Sequence, residues 1–301
     1  DFDLIEVLYS SLLDLTEKYQ VNEDGKTWTI ILKKDLKWDD GQELTTKDVI
    51  FTVKTIQNPD ARSVLFSSWK GIEVEKISDQ ELRFQLGSPY AFFVENLRSL
   101  KIAPQHIFGS ITIPNLKLSQ YNLEPVGSGP YKFGGFSTEK DGFIKQLTLV
   151  INPLYYKSPP RLEQFIFKFY RNEDDLIKDF NLKKISGFGG LGPKSLDRLK
   201  IKNQAINLSP PRYYAIFLNG SVSPTLQEKE VRSALNFAVN KKELIKNTFN
   251  GFASVVDGPI PPSLSSYDET IYQNYNFSLQ QASELLDKAG WLTNPEDDIR
   301  Y

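Results

Sequence analysis

Gly187-Phe188-Gly189-Gly190-Leu191-Gly192-Pro193-Lys194-Ser195 falls one residue short of a phosphate-binding loop. Such a loop needs glycine, lysine and serine or threonine side by side, so that backbone N–H groups and the ammonium converge on phosphate while the hydroxyl meets magnesium. Pro193 interrupts that run, removes one donor and fixes φ where a helix should begin. The spacing therefore predicts a plain flexible loop, and a hydrolase or nucleotide-handling enzyme has no other support in the chain. His106 is the single histidine, too few for a multi-histidine metal site, and no serine stands at an obvious triad spacing from it. It is expected to be structural. The acidic pairs Asp39-Asp40, Asp174-Asp175 and Asp297-Asp298 lack EF-hand spacing, and neighbouring carboxylates on a strand point to opposite faces. They are read as solvated turns and caps. Zero cysteines excludes disulfides, thiolate-bound zinc and a thiol nucleophile. No catalytic residue, metal or cofactor is expected.

Binding without chemistry has better raw material. The chain carries 20 Phe, 14 Tyr and 4 Trp, more than ordinary polar loops need, so most must be core. Tyr and Trp also make good cleft walls, because they bring large rigid area and keep a polar tip. Gly127-Ser128-Gly129-Pro130 has two readings. It can present backbone N–H and C=O groups to an extended ligand without side-chain obstruction, or it can be a turn buried in a core.

The elements that would hold these residues are legible in outline. Residues 26 to 38 alternate as strands, and Asp39-Asp40-Gly41 supplies a turn. Thr45 with Asp48 opens a helix through Ile56, closed by Asn58-Pro59; residues 72 to 86 form a hairpin, and a short helix runs toward Leu100. The polar stretch 109 to 125 reads as a surface connection. Strands follow between Tyr131 and Tyr170, among them 147 to 151 and 165 to 170, then a helix from Asp174 to Leu182. Ser209-Pro210-Pro211 stops the chain before an apolar strand at 213 to 218, which places a hinge and a lobe boundary near Pro211. Beyond it, Val231, Ala234, Leu235, Ala238 and Val239 recur at helical spacing. Asn240 with Glu243 caps a second helix whose Leu244 and Ile245 are expected to face the core and which ends at Gly251. Ser278 with Gln281 caps a third, apolar at Ala282, Leu285, Leu286 and Ala289 and stopped by Gly290.

At 301 residues the chain exceeds what one core usually serves, so two or three domains are expected. A net charge of −2, without a block of like charges, gives no drive toward nucleic acid or anionic membrane. No apolar run approaches the ~20 residues that cross a bilayer, and Asp-Phe-Asp-Leu-Ile-Glu at the start is not a secretion signal.

Five ordered blocks carry a resemblance. The helix pair at 231 to 251, with its Ala-Leu-Asn-Phe-Ala-Val-Asn-Lys core, is similar to the paired helices of the peptide- and nickel-binding family of extracytoplasmic solute receptors for ABC importers. Asp24-Gly25-Lys26-Thr27-Trp28-Thr29-Ile30, with Leu36-Lys37-Trp38-Asp39-Asp40-Gly41 and Thr45-Thr46-Lys47-Asp48-Val49, resembles that family's strand, turn and helix signature. Val126-Gly127-Ser128-Gly129-Pro130-Tyr131, Arg212-Tyr213-Tyr214-Ala215-Ile216-Phe217-Leu218-Asn219 and Gly258-Pro259-Ile260-Pro261-Pro262 follow in the family's order.

The resemblance implies an α/β (α+β) fold of the type II periplasmic-binding-protein kind, with two lobes of which the second is incomplete. Residues 1–12 and 126–211 would form the first lobe core, 13–125 a family-specific subdomain, and 212–301 the beginning of the second lobe. Both ends are expected to be trimmed, including the part that carries the acidic partner of a peptide amino terminus. Implied ligand contacts are Tyr9, Ser10 and Ser11 at the first-lobe edge, Gly127, Ser128 and Gly129 in the turn, and Tyr213, Tyr214 and Phe217 on the strand entering the second lobe. Trp69 and Arg98 are weaker members of that set, suited to gripping rings or carboxylates. The implied role is capture of oligopeptides by a monomeric receptor that hands them to ABC permease subunits outside the cytoplasm, with a lipid anchor. Nickel-chelate and oligosaccharide receptors share every motif quoted.

Overall fold

The structure, a computed structural model, describes residues 2–300 apart from 205, 207–211, 263, 265, 266, 273, 274, 297 and 298; of residues 2, 193 and 194 it describes the backbone only. Contacts along the chain divide it into two compact units, Asp1–Tyr170 and Arg171–Tyr301. The expected boundary at Pro211 and the Asp297-Asp298 pair lie outside the described residues.

The first unit opens with helix α1 (Phe2–Leu8) and the single turn α2 (Leu12–Leu15). Strands β1 (Thr16–Val21) and β2 (Thr27–Leu32) pair antiparallel around a turn in which Gly25 takes a left-handed φ of 65°. Helix α3 (Thr46–Gln57) starts at the capping box legible in the sequence: the Lys47 N–H donates to Thr45 Oγ1, and the Thr45 N–H donates to Asp48 Oδ2 at 2.9 Å. Val49, Val53 and Ile56 recur at helical spacing and are buried, and Asn58-Pro59 ends the helix where proline disfavours a further turn. The turn α4 (Phe66–Trp69) leads into β3 (Glu73–Lys76) and β4 (Glu81–Gln85), giving a four-stranded antiparallel sheet of order β1-β2-β4-β3. Helices α5 (Phe93–Ser99) and α6 (Gln105–Phe108) follow.

One face of this sheet and α3 enclose a core rich in aromatics. Trp69, Phe84 and Phe93 meet edge to face with centroids 5.5 to 5.6 Å apart, the geometry favoured by ring quadrupoles. The rest of the unit is a second antiparallel sheet, β5 (Tyr131–Thr138), β6 (Ile144–Ile151) and β7 (Gln164–Lys168). Its smaller core gathers Leu8, Tyr131, Leu147 and Leu149. Tyr9 packs against both cores.

The second unit contains α7 (Glu173–Asn181), α8 (Lys229–Ala238), α9 (Lys241–Phe249) and α10 (Leu279–Lys288). Their caps follow the sequence reading. Asn240 Oδ1 accepts the Glu243 N–H and Ser278 Oγ accepts the Gln281 N–H, while Gly251 and Gly290 take left-handed φ at the helix ends. The faces follow in part. Helices α8 and α10 pack on each other and bury Val231, Ala234 and Ala282, but Leu235, Ala238 and Val239 stay exposed, as does Leu244, half of whose surface is open. The apolar stripe of α8 is wider than the strip α10 covers. Residues 213–218 form no strand, because a strand exists only as part of a ladder and no described segment bonds to this one. The glycine-rich segment ends in a short 3-10 turn, Pro193–Arg198, rather than an α-helix that could receive phosphate. Among the described residues no helix is long and apolar enough to cross a membrane.

Candidate functional site

The segment between α1 and α2 is the meeting point of the first unit. On one side the Leu12 N–H donates to the Leu100 carbonyl at 2.8 Å, and Ser11 makes an antiparallel bridge with Lys101. On the other, the Gly129 N–H donates to the Leu8 carbonyl at 2.8 Å, the Ser10 N–H to Ser128 Oγ at 3.1 Å and the Ser10 hydroxyl to the Ser128 carbonyl at 2.9 Å. Ser11 caps α2, its Oγ accepting the Asp14 N–H.

The 127–129 turn is held from three directions. The Gly127 N–H donates to Asp39 Oδ2 at 2.8 Å and its carbonyl accepts the Asp39 N–H at 2.9 Å. Asn152 Nδ2 donates to the Gly129 carbonyl at 2.9 Å. A methyl group at Gly127 would lie 2.1 Å from the Leu8 carbonyl oxygen, and one at Gly129 2.5 Å from that of Val7. Only glycine lets the two chains approach so closely.

This geometry decides between the two readings of the turn. The backbone groups of Gly127 and Gly129 are spent inside the protein, and Ser10, Ser11 and Ser128 are buried and bonded. In the structure the polar groups of these five residues are engaged within the first unit. Trp69 is corrected more sharply: it has no exposed surface and belongs to the aromatic core. Arg98 stands on the exposed face of α5 with Glu95 as its ion-pair partner at 3.1 Å.

Tyr9, of the first-unit set, opens onto a cavity. It lines a space of about 300 Å³ together with Phe51, Ile102, Phe108 and Leu116. Burial pushes its phenol well above the ordinary tyrosine range, and the charge of Asp39 adds to the effect. In the second unit, Tyr213 is half-buried, Tyr214 is 75% exposed and leans on Phe249 with centroids 5.5 Å apart, and Phe217 is 82% exposed. All three offer aromatic surface.

Asp39 and Asn152 were not among the expected site residues. Asp39 had a sequence signal, its place in the Trp38-Asp39-Asp40-Gly41 turn, but a turn carboxylate ordinarily faces solvent. Here burial raises its pKa above the usual carboxylate value, with Asp40 adding and the Gly127 N–H and Lys132 opposing. Asp40 reaches the other way, pairing with His106 Nε2 at 2.8 Å, which gives the lone histidine its structural role. Asn152 has no signal in the sequence beyond being a polar residue after a strand.

The family described as bacterial extracellular solute-binding proteins, family 5 (Middle), matches residues 13–300, nearly the whole chain. The chain belongs to that family. Oligopeptide-binding protein AppA of Bacillus subtilis (strain 168) is 26% identical over 311 residues, covering 99% of this chain and 56% of the relative. The nickel-binding periplasmic protein of Escherichia coli (strain K12) is 28% identical over 298 residues, covering 95% and 54%. This family-5 chain thus spans about half the length of the curated relatives it matches. The structure of AppA from Bacillus subtilis in complex with a nonapeptide superposes with a TM-score of 0.71 at 25% identity, over all of this chain and 61% of that one. NikA from Brucella suis in complex with Fe(III)-EDTA gives 0.75 at 21% identity, a likeness of fold. The chain has part of the type II periplasmic-binding-protein-like fold. Its family is one of solute-binding receptors.

Proposed function

We propose that the whole protein is the ligand-capturing receptor of an ABC importer, that it works outside the cytoplasm, and that oligopeptides are its cargo. The observation that carries this reading is the match to a peptide receptor along the full chain, with the five motif blocks in order. In it, residues 1–12 and 126–211 are the first lobe core, 13–125 its subdomain and 212–301 the start of the second lobe. Tyr9, Tyr213, Tyr214 and Phe217 are the aromatic surfaces assigned to cargo. The receptor acts by hinge closure: cargo that binds the closed state more tightly shifts the population toward it, and no bond is made or broken. Permease subunits receive the loaded receptor, and a lipid anchor keeps it at the surface.

A second reading has its own support, because the nickel-binding relative is as similar as the peptide-binding one. Mass spectrometry of ligands released on denaturing the full-length receptor separates the two. Mixed short peptides are expected, and a chelated metal or an oligosaccharide would overturn the assignment.

A further inference from the structure

Helix α3 turns an apolar and basic face toward the 105–122 segment, and two cavities lie along it. The first, about 500 Å³, is walled by Ile50 and Ile113 and carries Lys47, Lys54 and Lys76. The second is the 300 Å³ space beside Tyr9, with Lys101 at its edge. Phe51 and Thr55 line both, so the two adjoin through one pair of side chains.

Their charge is one-sided. Among the described residues neither lining contains an aspartate or glutamate, although the chain as a whole carries a net charge of −2. Lys76 and Lys101 have outside partners, Asp79 at 2.6 Å and Glu6 at 2.8 Å. Lys47 and Lys54 have no ion pair among the described residues, and they sit seven residues apart, two turns, on one face of α3. The field of Lys47 also reaches Asp79, which is held below the ordinary carboxylate range chiefly by its hydrogen bond to Lys76. A helix face that merely meets solvent has no need of an apolar trough between its lysines. An anion with an apolar body fits both features, because the trough takes the body while the ammonium groups take the head.

We infer that these adjoining cavities form one binding site for a small anionic amphiphile, an aliphatic or aromatic molecule with a single carboxylate head, whose anion-holding end at Lys47 and Lys54 lies outside the residues assigned to cargo. The apolar part lies against Phe51, Ile50 and Ile113 and reaches toward Ile102 and Leu116, and the head is held by Lys54 and Lys47. Tyr9, assigned to cargo, lines the smaller cavity, so the two sites touch there; Lys47, Lys54, Ile50 and Ile113 line only the larger one, and changes at them separate a failure of this proposal from a failure of cargo capture.

Titration calorimetry and amide chemical-shift mapping on the full-length receptor test the assignment with octanoate, octanol, octylamine and acetate as probes. Octanoate is expected to bind and to shift amides of α3 and 105–122, with octanol at least ~10-fold weaker and octylamine and acetate without effect. The exposed pair Lys47→Glu and Lys54→Glu should weaken octanoate ~10-fold or more and leave cargo affinity unchanged. Phe51→Ala should weaken octanoate and octanol alike. Equal binding of octanoate and octanol, an octanoate affinity indifferent to the lysine changes, or no binding at all overturns the proposal, the last two being the outcomes if solvent or another part of the receptor occupies the groove.

Discussion

Asp39 and Gly127 hold each other through two hydrogen bonds, the Asp39 N–H to the Gly127 carbonyl at 2.9 Å and the Gly127 N–H to Asp39 Oδ2 at 2.8 Å. The contact spans 88 residues and ties the turn after β2 to the turn before β5. Because Gly127 is buried, its N–H has no water to fall back on.

Asp39→Ala should therefore cost about 1–3 kcal/mol, the desolvation penalty of a buried donor left unbonded. Asp39→Asn keeps an oxygen acceptor and should cost less. Urea denaturation of the two variants checks the order, and equal losses would show that the side chain matters only for packing.

A pH dependence follows from the same carboxylate. Asp39 and Asp48 are both raised above the ordinary carboxylate value, burial being the main cause in each. A group whose folded pKa is raised contributes stability that is fully present below its unfolded pKa of ~3.9 and lost as pH climbs through the folded value. Asparagine carries no such titration. Asp39→Asn should gain on the wild type as pH rises from about 4 to 7, read as a change in the difference between their denaturation free energies. A difference that stays constant or moves the opposite way rejects the assignment.

Gly127→Ala places a methyl 2.1 Å from the Leu8 carbonyl oxygen, a backbone atom with little freedom to yield. A loss above ~4 kcal/mol, or no soluble protein, is expected. Gly189→Ala is the control, with open space around it and no left-handed φ. It should change stability by no more than ~0.5 kcal/mol by thermal melting.

Trp69→Ala empties part of the aromatic core and should destabilise by about 3–5 kcal/mol. Trp69→Phe should lower the melting temperature of the full-length receptor while its cargo affinity stays the same. A selective loss of affinity without a change in melting would return Trp69 to the cargo site. Arg98→Ala, on an exposed face, should stay within ~0.5 kcal/mol of wild type.

The second unit of this chain exposes Tyr214, Ile216 and Phe217 in a row. An apolar surface of that kind takes up a hydrophobic dye or another protein. Dye fluorescence from the 301-residue chain should fall when Ile216 and Phe217 are both changed to serine, with the melting temperature unaltered. Unchanged fluorescence would place the dye elsewhere, on Leu235, Val239 and Leu244.

Local signals in the sequence had local consequences in the structure. Thr45 with Asp48, Asn240 with Glu243 and Ser278 with Gln281 cap helices as read, since a cap is decided by residues three apart and needs no distant partner. The hairpin at 72–86 joins neighbouring segments, the strand read at 147–151 lies within the observed Ile144–Ile151, and the motif blocks pointed to the family that the comparisons show. Residues 213–218 went the other way. Their alternation and apolarity suit a strand, but pairing depends on a second segment, and among the described residues none is there.

The candidate site was legible only in part for the same reason. Sequence alone established the helix caps, the turn glycines, the absence of thiol or multi-histidine chemistry, and membership of a receptor family, all of which depend on residue type and short spacing. Tertiary structure alone decided that Gly127 and Gly129 press against Leu8 and Val7, that Ser10 and Ser128 are spent on each other, that Trp69 is core, and that Asp39 serves as a tether. Whether a polar group is free for a ligand depends on which distant groups already satisfy it, and burial and pairing across 88 to 118 residues are set by packing that no short pattern encodes.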